Sequence, residues 1–430
     1  MIPEIEKKSK EEIKIFQEKK MREQLYYLQE NSPYYQKLFK ENSIDLSTVV
    51  TLEDLKKIPV TTKNDIQKHN FDFFCVPKTE IIDYATTSGT LGDPVTFGLT
   101  DKDLDRLAYN EMISFQCAGI QKGDLVQLMT TMDRRFMAGL AYFLGLRNLG
   151  ASVIRVGAGI PQLQWDSILQ YRPKYLIAVP SFLLKMIEFA EQNNIDYNAS
   201  GVEGVICIGE ALRTSELQPT ILANKITDKW NIKLFSTYAS TEMATAFTEC
   251  EFQQGGHHHP ELIICEVLDE ENQEVNEGEL GELTITTLDV EGLPLLRFKT
   301  GDLVRKFSKI CGCGRNTDRL GSVEGRKQQM IKYKGTSLYP PVMHDLIADF
   351  DEIKLHLIEL SQSELGTDLI SIKIVSTNES ELFLKKVKDK FRAKLRVTPD
   401  IEFVKLETIQ SIVFDPLKRK PTTLIDHRKN

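Results

Sequence analysis

The sequence predicts an α/β protein: a large N-terminal part with mixed sheets, an antiparallel subdomain at about 249–320, and a small α+β unit after it. Three observations predict this. Between residues 101 and 200, short apolar segments alternate with amphipathic stretches, the pattern of crossover units around a mostly parallel sheet. After Thr248 the apolar segments are joined by acidic or glycine turns instead of helices, which reads as antiparallel pairing. Beyond a connector at 321–339, strands alternate with a basic amphipathic stretch around Lys385 to Arg396.

The elements follow in order. The first forty residues are charged and helical in pattern, with Leu25, Leu28, Tyr34, Tyr35 and Leu38 marking one side of two short helices broken at Asn31-Ser32-Pro33. Segments 123–131, 150–157, 173–181 and 201–209 are the expected parallel strands. Segments 261–270, 278–289 and 302–307 are the expected antiparallel ones, and 369–376 and 397–407 supply strands of the last unit.

Composition narrows the function class. At roughly 150 residues per domain, 430 residues suggest two or three domains with ample core. The 54 Lys plus Arg against 62 Asp plus Glu give a net charge of -8, which offers no general attraction to nucleic acid or anionic lipid. Seven scattered cysteines and a charged, signal-free start point to a reduced, cytoplasmic protein. The longest apolar stretch, 175–184, contains Pro180 and is too short to span a bilayer.

The most informative segment is 84–96. Thr86, Thr87, Ser88 and Thr90 surround Gly89, and Gly92 precedes Pro94. Small residues let backbone N–H groups and hydroxyls converge on one volume, which is how an uncharged loop holds a phosphate chain. The Gly-Lys-Ser/Thr ending of a P-loop is absent. Downstream, Tyr238 and Glu242 are spaced to share one face if a helical turn follows the strand there.

A second constellation comprises Cys250, His257-His258-His259 and Cys311-Gly312-Cys313. A hairpin would bring its two parts together as a closed Cys3His site, the usual form of structural zinc. The expected ligands are Cys250, His258, Cys311 and Cys313, with His258 chosen because His257 and His259 would face the other side of a strand.

The segment Thr87 to Pro94 carries Thr-Ser-Gly-Thr-x-Gly-x-Pro, and further motifs follow in order. They are Ile208-Gly209-Glu210-Ala211, the run Ser236 to Glu242, Phe298-Lys299-Thr300-Gly301-Asp302, Gly325-Arg326, and Lys420 followed by Leu424-Ile425-Asp426-His427-Arg428. Along nearly the whole chain this resembles the phenylacetate-coenzyme A ligase group within the adenylate-forming enzymes. The early Asn-Ser-Pro-Tyr-Tyr segment and the Cys-x-Cys-Gly-Arg turn resemble that branch in particular.

The resemblance implies an adenylate-forming N-terminal domain over 1–327 and a mobile C-terminal domain over 328–430. It implies that Thr87, Ser88, Gly89, Thr90 and Gly92 wrap the ATP phosphates. Gly209, Glu210, Ala211, Tyr238, Ala239, Ser240, Asp302 and Arg326 would complete the nucleotide site, with Tyr238 on adenine and Asp302 on ribose. Thr241, Glu242 and Lys420 would be catalytic, Glu242 holding magnesium; Gln328 would be the hinge, and Lys334 and Gly335 would pass the coenzyme A arm. The chain departs from the pattern at Asp93, where the family often has lysine, at Gln328, and at Arg419, which replaces a glycine.

The implied activity is ATP-dependent formation of an acyl-AMP from a carboxylic acid, phenylacetate or another aryl acid, then transfer to coenzyme A. Phe136, Met137, Tyr142 and Phe143 are either an aromatic slot for that acid or one face of a buried helix. The alternatives are transfer to a carrier-protein thiol, and a non-catalytic nucleotide sensor. The expected partners are the acid and coenzyme A, with no nucleic acid or membrane; many relatives are homodimers.

Overall fold

The computed structural model describes residues 2–87, 94–333, 336–363, 367–415 and 421–428. The chain forms two compact units, Met1–Pro219 with Ala223–Val323, and Thr220–Leu222 with Glu324–Asn430.

The first unit opens with α1 (Lys10–Asn31), started by a capping box in which Ser9 and Glu12 satisfy each other's backbone N–H groups. At 22 residues it is longer than the charged sequence suggests, because Ile13, Met21, Leu25 and Leu28 give it a narrow buried stripe. The break falls at Ser32, which caps α2 (Pro33–Glu41) with Pro33 in the first turn. Tyr34 stacks on Phe73 at 3.9 Å and Tyr35 meets the same ring edge-on at 5.4 Å. The helix α3 (Lys63–His69) follows, then the antiparallel pair β1 (Asp83–Thr86) and β2 (Thr96–Leu99).

Next come α4 (Asp101–Cys117), β3 (Leu125–Leu128), α5 (Met137–Leu149), β4 (Ser152–Arg155), α6 (Pro161–Tyr171), β5 (Tyr175–Ala178), α7 (Pro180–Gln192), β6 (Gly204–Ile208), α8 (Ile221–Thr227), β7 (Lys233–Ser240) and β8 (Thr245–Thr248). The strand order is β4-β3-β5-β6-β7-β8, parallel until the final β7–β8 pair. β5 and β6 are wholly buried, as expected for strands covered on both faces.

The antiparallel sheet comprises β9 (Gly256–His257), β10 (Ile263–Leu268), β11 (Leu280–Thr287), β12 (Phe298–Phe307) and β13 (Arg319–Leu320), running β10-β11-β12-β13-β9. Its inner residues Ile263, Leu283, Ile285 and Phe298 share one core with Met21, Leu25, Phe73 and Phe97.

In the second unit β14 (Gly325–Arg326) precedes the hairpin β15 (Ile331–Tyr333) and β16 (Thr336–Leu338) and the helix α9 (Pro340–Ala348). A sheet ordered β19-β18-β17-β20 follows, from β17 (Ile353–Gln362), β18 (Asp368–Ser376), β19 (Asp400–Phe403) and β20 (Leu424–Asp426), with α10 (Glu381–Leu395) and α11 (Leu406–Val413). The motif Leu424-Ile425-Asp426 is therefore an edge strand paired in parallel with β17. Arg428 ties it in, donating to Asp426, to Asp368 at 2.8 Å and to the Met330 carbonyl at 2.7 Å.

Helices α4 and α5 cross so closely that a Cβ on Gly145 would lie 2.3 Å from Cβ of Glu111. Glu111 is buried there, and burial pushes its carboxyl from the ordinary 4.5 up to about 8. The folded chain thus holds a proton that the unfolded chain releases, so this group's contribution to stability is full below about pH 4.5 and is lost as pH rises through 8. Glu111→Gln keeps an acceptor for Asn110, which donates at 3.1 Å, but cannot ionise. It should raise stability by up to about 5 kcal/mol at pH 9 and leave it unchanged near pH 4, measured by denaturation at both pH values. A change independent of pH would contradict this.

Candidate functional site

The site is organised by the reversal from β7 to β8. The structure corrects the expected helical turn here: β7 runs straight through Tyr238, and the chain turns back at 241–244, pairing Tyr238 with Phe247 and Ser240 with Thr245. Tyr238 and Glu242 therefore do not share a helix face; one is on the strand and the other at the turn. The reason is that the Ser and Thr residues here take extended and turn conformations as readily as helix, and cross-strand pairing decides.

A buried arginine that sequence reasoning missed holds this turn. Arg106 of α4 donates to the carbonyls of Ala244 at 2.7 Å, Leu262 at 2.6 Å and Leu288 at 2.7 Å. Burial lowers its pKa to about 10, which still leaves it charged at neutral pH. Asn110, one turn further along, accepts from the Ala246 N–H at 3.0 Å. Thr241 and Glu242 are thereby fixed beside a small cavity that Phe97, Gly98, Met137 and Leu293 also line.

Tyr238 and Asp302 come from different sheets, yet the tyrosine hydroxyl donates to the aspartate carboxylate at 2.7 Å. Asp302 lies within β12, beyond Gly301 at φ +79, and its own N–H donates to Thr300 Oγ1 at 3.1 Å. The run 208–211 leaves β6 beside the run that continues from β7, since Ile208 pairs in parallel with Thr237. Carboxyl ends of parallel strands are the usual place for a ligand crevice. Gly209 has φ +78, which a side chain would strain. Glu210 is turned to the start of α7, accepting from Ser181 N at 2.8 Å and Ser181 Oγ at 2.7 Å, as a carboxylate does at a helix N-terminus. Ala211 is half-buried, Ala239 is exposed, and Ser240 Oγ accepts from Met243 N at 3.3 Å.

Thr86 and Thr87 are buried at the end of β1, where Thr86 N donates to the Arg135 carbonyl at 3.0 Å and Thr87 N to the Val95 carbonyl at 3.0 Å. Ser88, Gly89, Thr90, Gly92 and Asp93 lie outside the described residues, as do Lys334, Gly335 and Lys420. In the second unit, Arg326 ends β14, and Gln328 sits in a single 3-10 turn, Lys327–Gln329. Of the expected aromatic slot, Tyr142 belongs to the core against Phe115, and the Phe143 ring lies under the Arg155 guanidinium at 5.5 Å.

The thiol cluster assembles as expected, with one correction: its histidine is His257, not His258. Ligand atoms of Cys250, His257, Cys311 and Cys313 all lie within 4.8 Å of one another. His258 Nε2 instead lies 2.6 Å from the Ile263 carbonyl, with its ring stacked on Phe247. The strand β9 is only two residues long, so the alternation that selected His258 has no run over which to act. Bonds of about 2.3 Å to sulfur and about 2.0 Å to nitrogen at tetrahedral angles put zinc ligands about 3.5 to 3.8 Å apart. Here Cys250 Sγ and Cys311 Sγ are 3.6 Å apart, and Cys313 Sγ and His257 Nε2 are 3.4 Å apart.

The donor set fits zinc chemically as well. The hydrogen bond with Cys250, with help from His257, holds the Cys313 thiol well below its usual range, while the same pairing pushes Cys250 up. Burial lowers the His257 pKa, which favours the neutral form that binds metal. Its other nitrogen, Nδ1, lies 3.4 Å from Thr317 Oγ1, as an outer partner that orients a ligand ring. Around the cluster, fully buried Glu6 bridges His259 Nδ1 at 2.5 Å and Arg315 Nε at 2.7 Å, and Arg315 donates to Cys313 Sγ at 3.6 Å. Glu6 looked like one more charge in a charged leader, and nothing in its sequence context marks it out.

Comparisons with known proteins accord with this geometry. The chain is 28% identical to the phenylacetate-coenzyme A ligase of Thermus thermophilus over 425 residues, covering 92% of this chain and 94% of that protein. It is 28% identical to the enzyme of the same name from Escherichia coli over 390 residues, covering 88% and 86%. Its fold is similar to a crystal structure of 2-hydroxyisobutyryl-CoA ligase in the postadenylation state with R3-HIB-AMP, at TM-score 0.86 and 22% identity, covering 99% of this chain and 91% of that one. The family model described as AMP-binding enzyme matches residues 28–290, a span that contains the hydroxyl-rich loop, the Gly209-Glu210 turn and the β7–β8 hairpin, and the chain belongs to that family.

Proposed function

We propose that this chain is an AMP-forming acid–thiol ligase that activates a carboxylic acid through an acyl-adenylate and passes the acyl group to coenzyme A. The observation that carries this reading is the Tyr238–Asp302 contact, close in sequence to the Glu242 turn, which would bring the adenine, ribose and phosphate roles together from two sheets. Similarity to phenylacetate-coenzyme A ligases over most of the chain supports it.

In the first step an oxygen of the acid attacks the α-phosphorus of ATP, and the bond to the β-phosphate oxygen breaks to release pyrophosphate. Acid and phosphates carry like charge, so the site must supply positive charge and hydrogen-bond donors where negativity grows. Thr241 would donate to the α-phosphate and Lys420 would neutralise it. Glu242 is suited to hold magnesium, an oxygen-seeking ion that supplies charge neutralisation on the phosphates. In the second step the thiol of coenzyme A gives up its proton to solvent, its sulfur attacks the acyl carbon, and AMP leaves with the electron pair of the acyl–phosphate bond. Gln328, as the hinge, and the residues Lys334 and Gly335 would serve this step.

The acid is proposed to be phenylacetate or another aryl acid. Tyr142 packs against Phe115, whereas Met137, also buried, lines the cavity beside Thr241 and Glu242 and is the residue of the α5 segment offered to meet it. A screen of carboxylic acids should favour aryl acids; selectivity for a short aliphatic acid over all of them would refute this choice.

Lys420→Ala should slow acyl-AMP formation by about 3 to 4 kcal/mol, roughly 100- to 1000-fold, and spare thioester formation from supplied acyl-AMP. The two half-reactions measured separately decide it, since equal losses in both would defeat the assignment of Lys420 to adenylation.

The Cys250–His257–Cys311–Cys313 cluster is proposed to hold one structural zinc. A closed four-ligand site has no open position for substrate, so its metal contributes to folding and not to bond making. Purified protein should contain about one zinc per chain, His257→Ala and Cys311→Ser should lose it, and His258→Ala should retain it. Elemental analysis showing no zinc in protein prepared without chelators would count against the site.

A further inference from the structure

The cluster and the nucleotide side of the large unit share a wall. A second cavity is lined by Arg213, Ser236, Tyr238, Glu249, Gly256 and Gly321 among others. Two of these residues are one peptide bond from metal ligands: Glu249 precedes Cys250, and Gly256 precedes His257. Leu320, also on the wall, pairs with Gly256 in the β13–β9 ladder.

Glu249 is the hub of this wall. It is fully buried and accepts from Arg213 Nε at 3.1 Å, Arg213 Nη2 at 3.1 Å and Ser236 N at 2.9 Å, with Gly255 N at 3.4 Å. Arg213 follows the Gly209-Glu210-Ala211 turn and also donates to the Leu234 carbonyl at 3.2 Å. One carboxylate thus fixes β7 two residues before Tyr238, the segment after β6, and the loop that leads to His257. Breaking such a buried pair is costly, because it leaves an uncompensated charge away from water. Gly256 tightens the same wall, since a Cβ there would lie 2.3 Å from the Phe247 carbonyl oxygen.

We infer that the Cys3His cluster and the nucleotide pocket are one coupled unit joined through Glu249, a positioning residue, so that bound nucleotide and bound metal retain each other. This rests on both the zinc and the nucleotide readings above. A four-ligand metal pins Cys250 and His257, and with them Glu249 and Gly256; a nucleotide against Tyr238 pins the opposite end of the same wall. Coupling between two sites is reciprocal at equilibrium, so AMP must strengthen zinc binding by the same factor by which zinc strengthens AMP binding.

The test uses the zinc-loaded protein and AMP. Zinc loss to a competing chelator is measured at equilibrium with and without saturating AMP, and the Kd for AMP is measured by equilibrium dialysis before and after zinc removal. The expected result is a smaller zinc loss at equilibrium with AMP, and AMP binding weakened about 5-fold or more in the zinc-free protein, within the usual range of such couplings. Glu249→Gln, which keeps the shape but not the charge, should shrink the AMP effect on zinc loss while retaining zinc. If that variant does not fold, the wild-type measurements decide alone. Zinc loss indifferent to AMP, with an unchanged Kd in folded zinc-free protein, overturns the inference and leaves both readings standing. Absence of zinc, or failure of the zinc-loaded protein to bind AMP, overturns it together with the reading concerned.

Discussion

The hydrogen bond of 2.7 Å between the Tyr238 hydroxyl and the Asp302 carboxylate joins the parallel sheet to the antiparallel one. Much of the large unit serves to make that contact possible. β7 must reach the edge of the parallel run and reverse, and β12 must bring Asp302 past Gly301 to the same place. Arg106 holds the reversal by filling the carbonyls of Ala244, Leu262 and Leu288, which lie near the ends of three different strands. A single buried cation thereby sets the position of the Thr241–Glu242 turn.

Buried charge recurs throughout this unit, at Arg106, in the Arg213–Glu249 pair, and in the Glu6–His259–Arg315 group. Removing such groups from water is costly, and hydrophobic replacements of equal volume are often no less stable. Each of these groups links segments far apart in sequence. Glu6 clasps the start of the chain to the loop of Cys311 and Cys313, and Asn316 N donates to the Glu6 carbonyl at 2.7 Å to close the same clasp.

The fold was legible because its strands are short, apolar and regularly spaced, and because the change of connection after Thr248 marks the second sheet. What was not legible depended on pairing. The run 236–242 reads as strand or helix locally, and only the β8 partner makes it a hairpin. The choice among three histidines rested on an alternation that two residues of strand cannot sustain, and His257 is the one that meets the cysteines. Arg106, Arg213 and Glu249 carry no local signature, since an isolated charge in an amphipathic segment reads as surface until its burial is known. Tyr142 had two fates on sequence, slot or core, and the Phe115 ring decides for the core.

The central claim is that the site at β7 and β12 joins a carboxylic acid to AMP at the expense of ATP. The most direct measurement is AMP release by the purified protein with ATP and magnesium, with and without phenylacetate and with and without coenzyme A. The account predicts that AMP appears only when an acid is present, and that with coenzyme A it appears in equal amount with a thioester. AMP formation independent of any acid, or none from a broad panel of acids by protein that binds ATP, would contradict it.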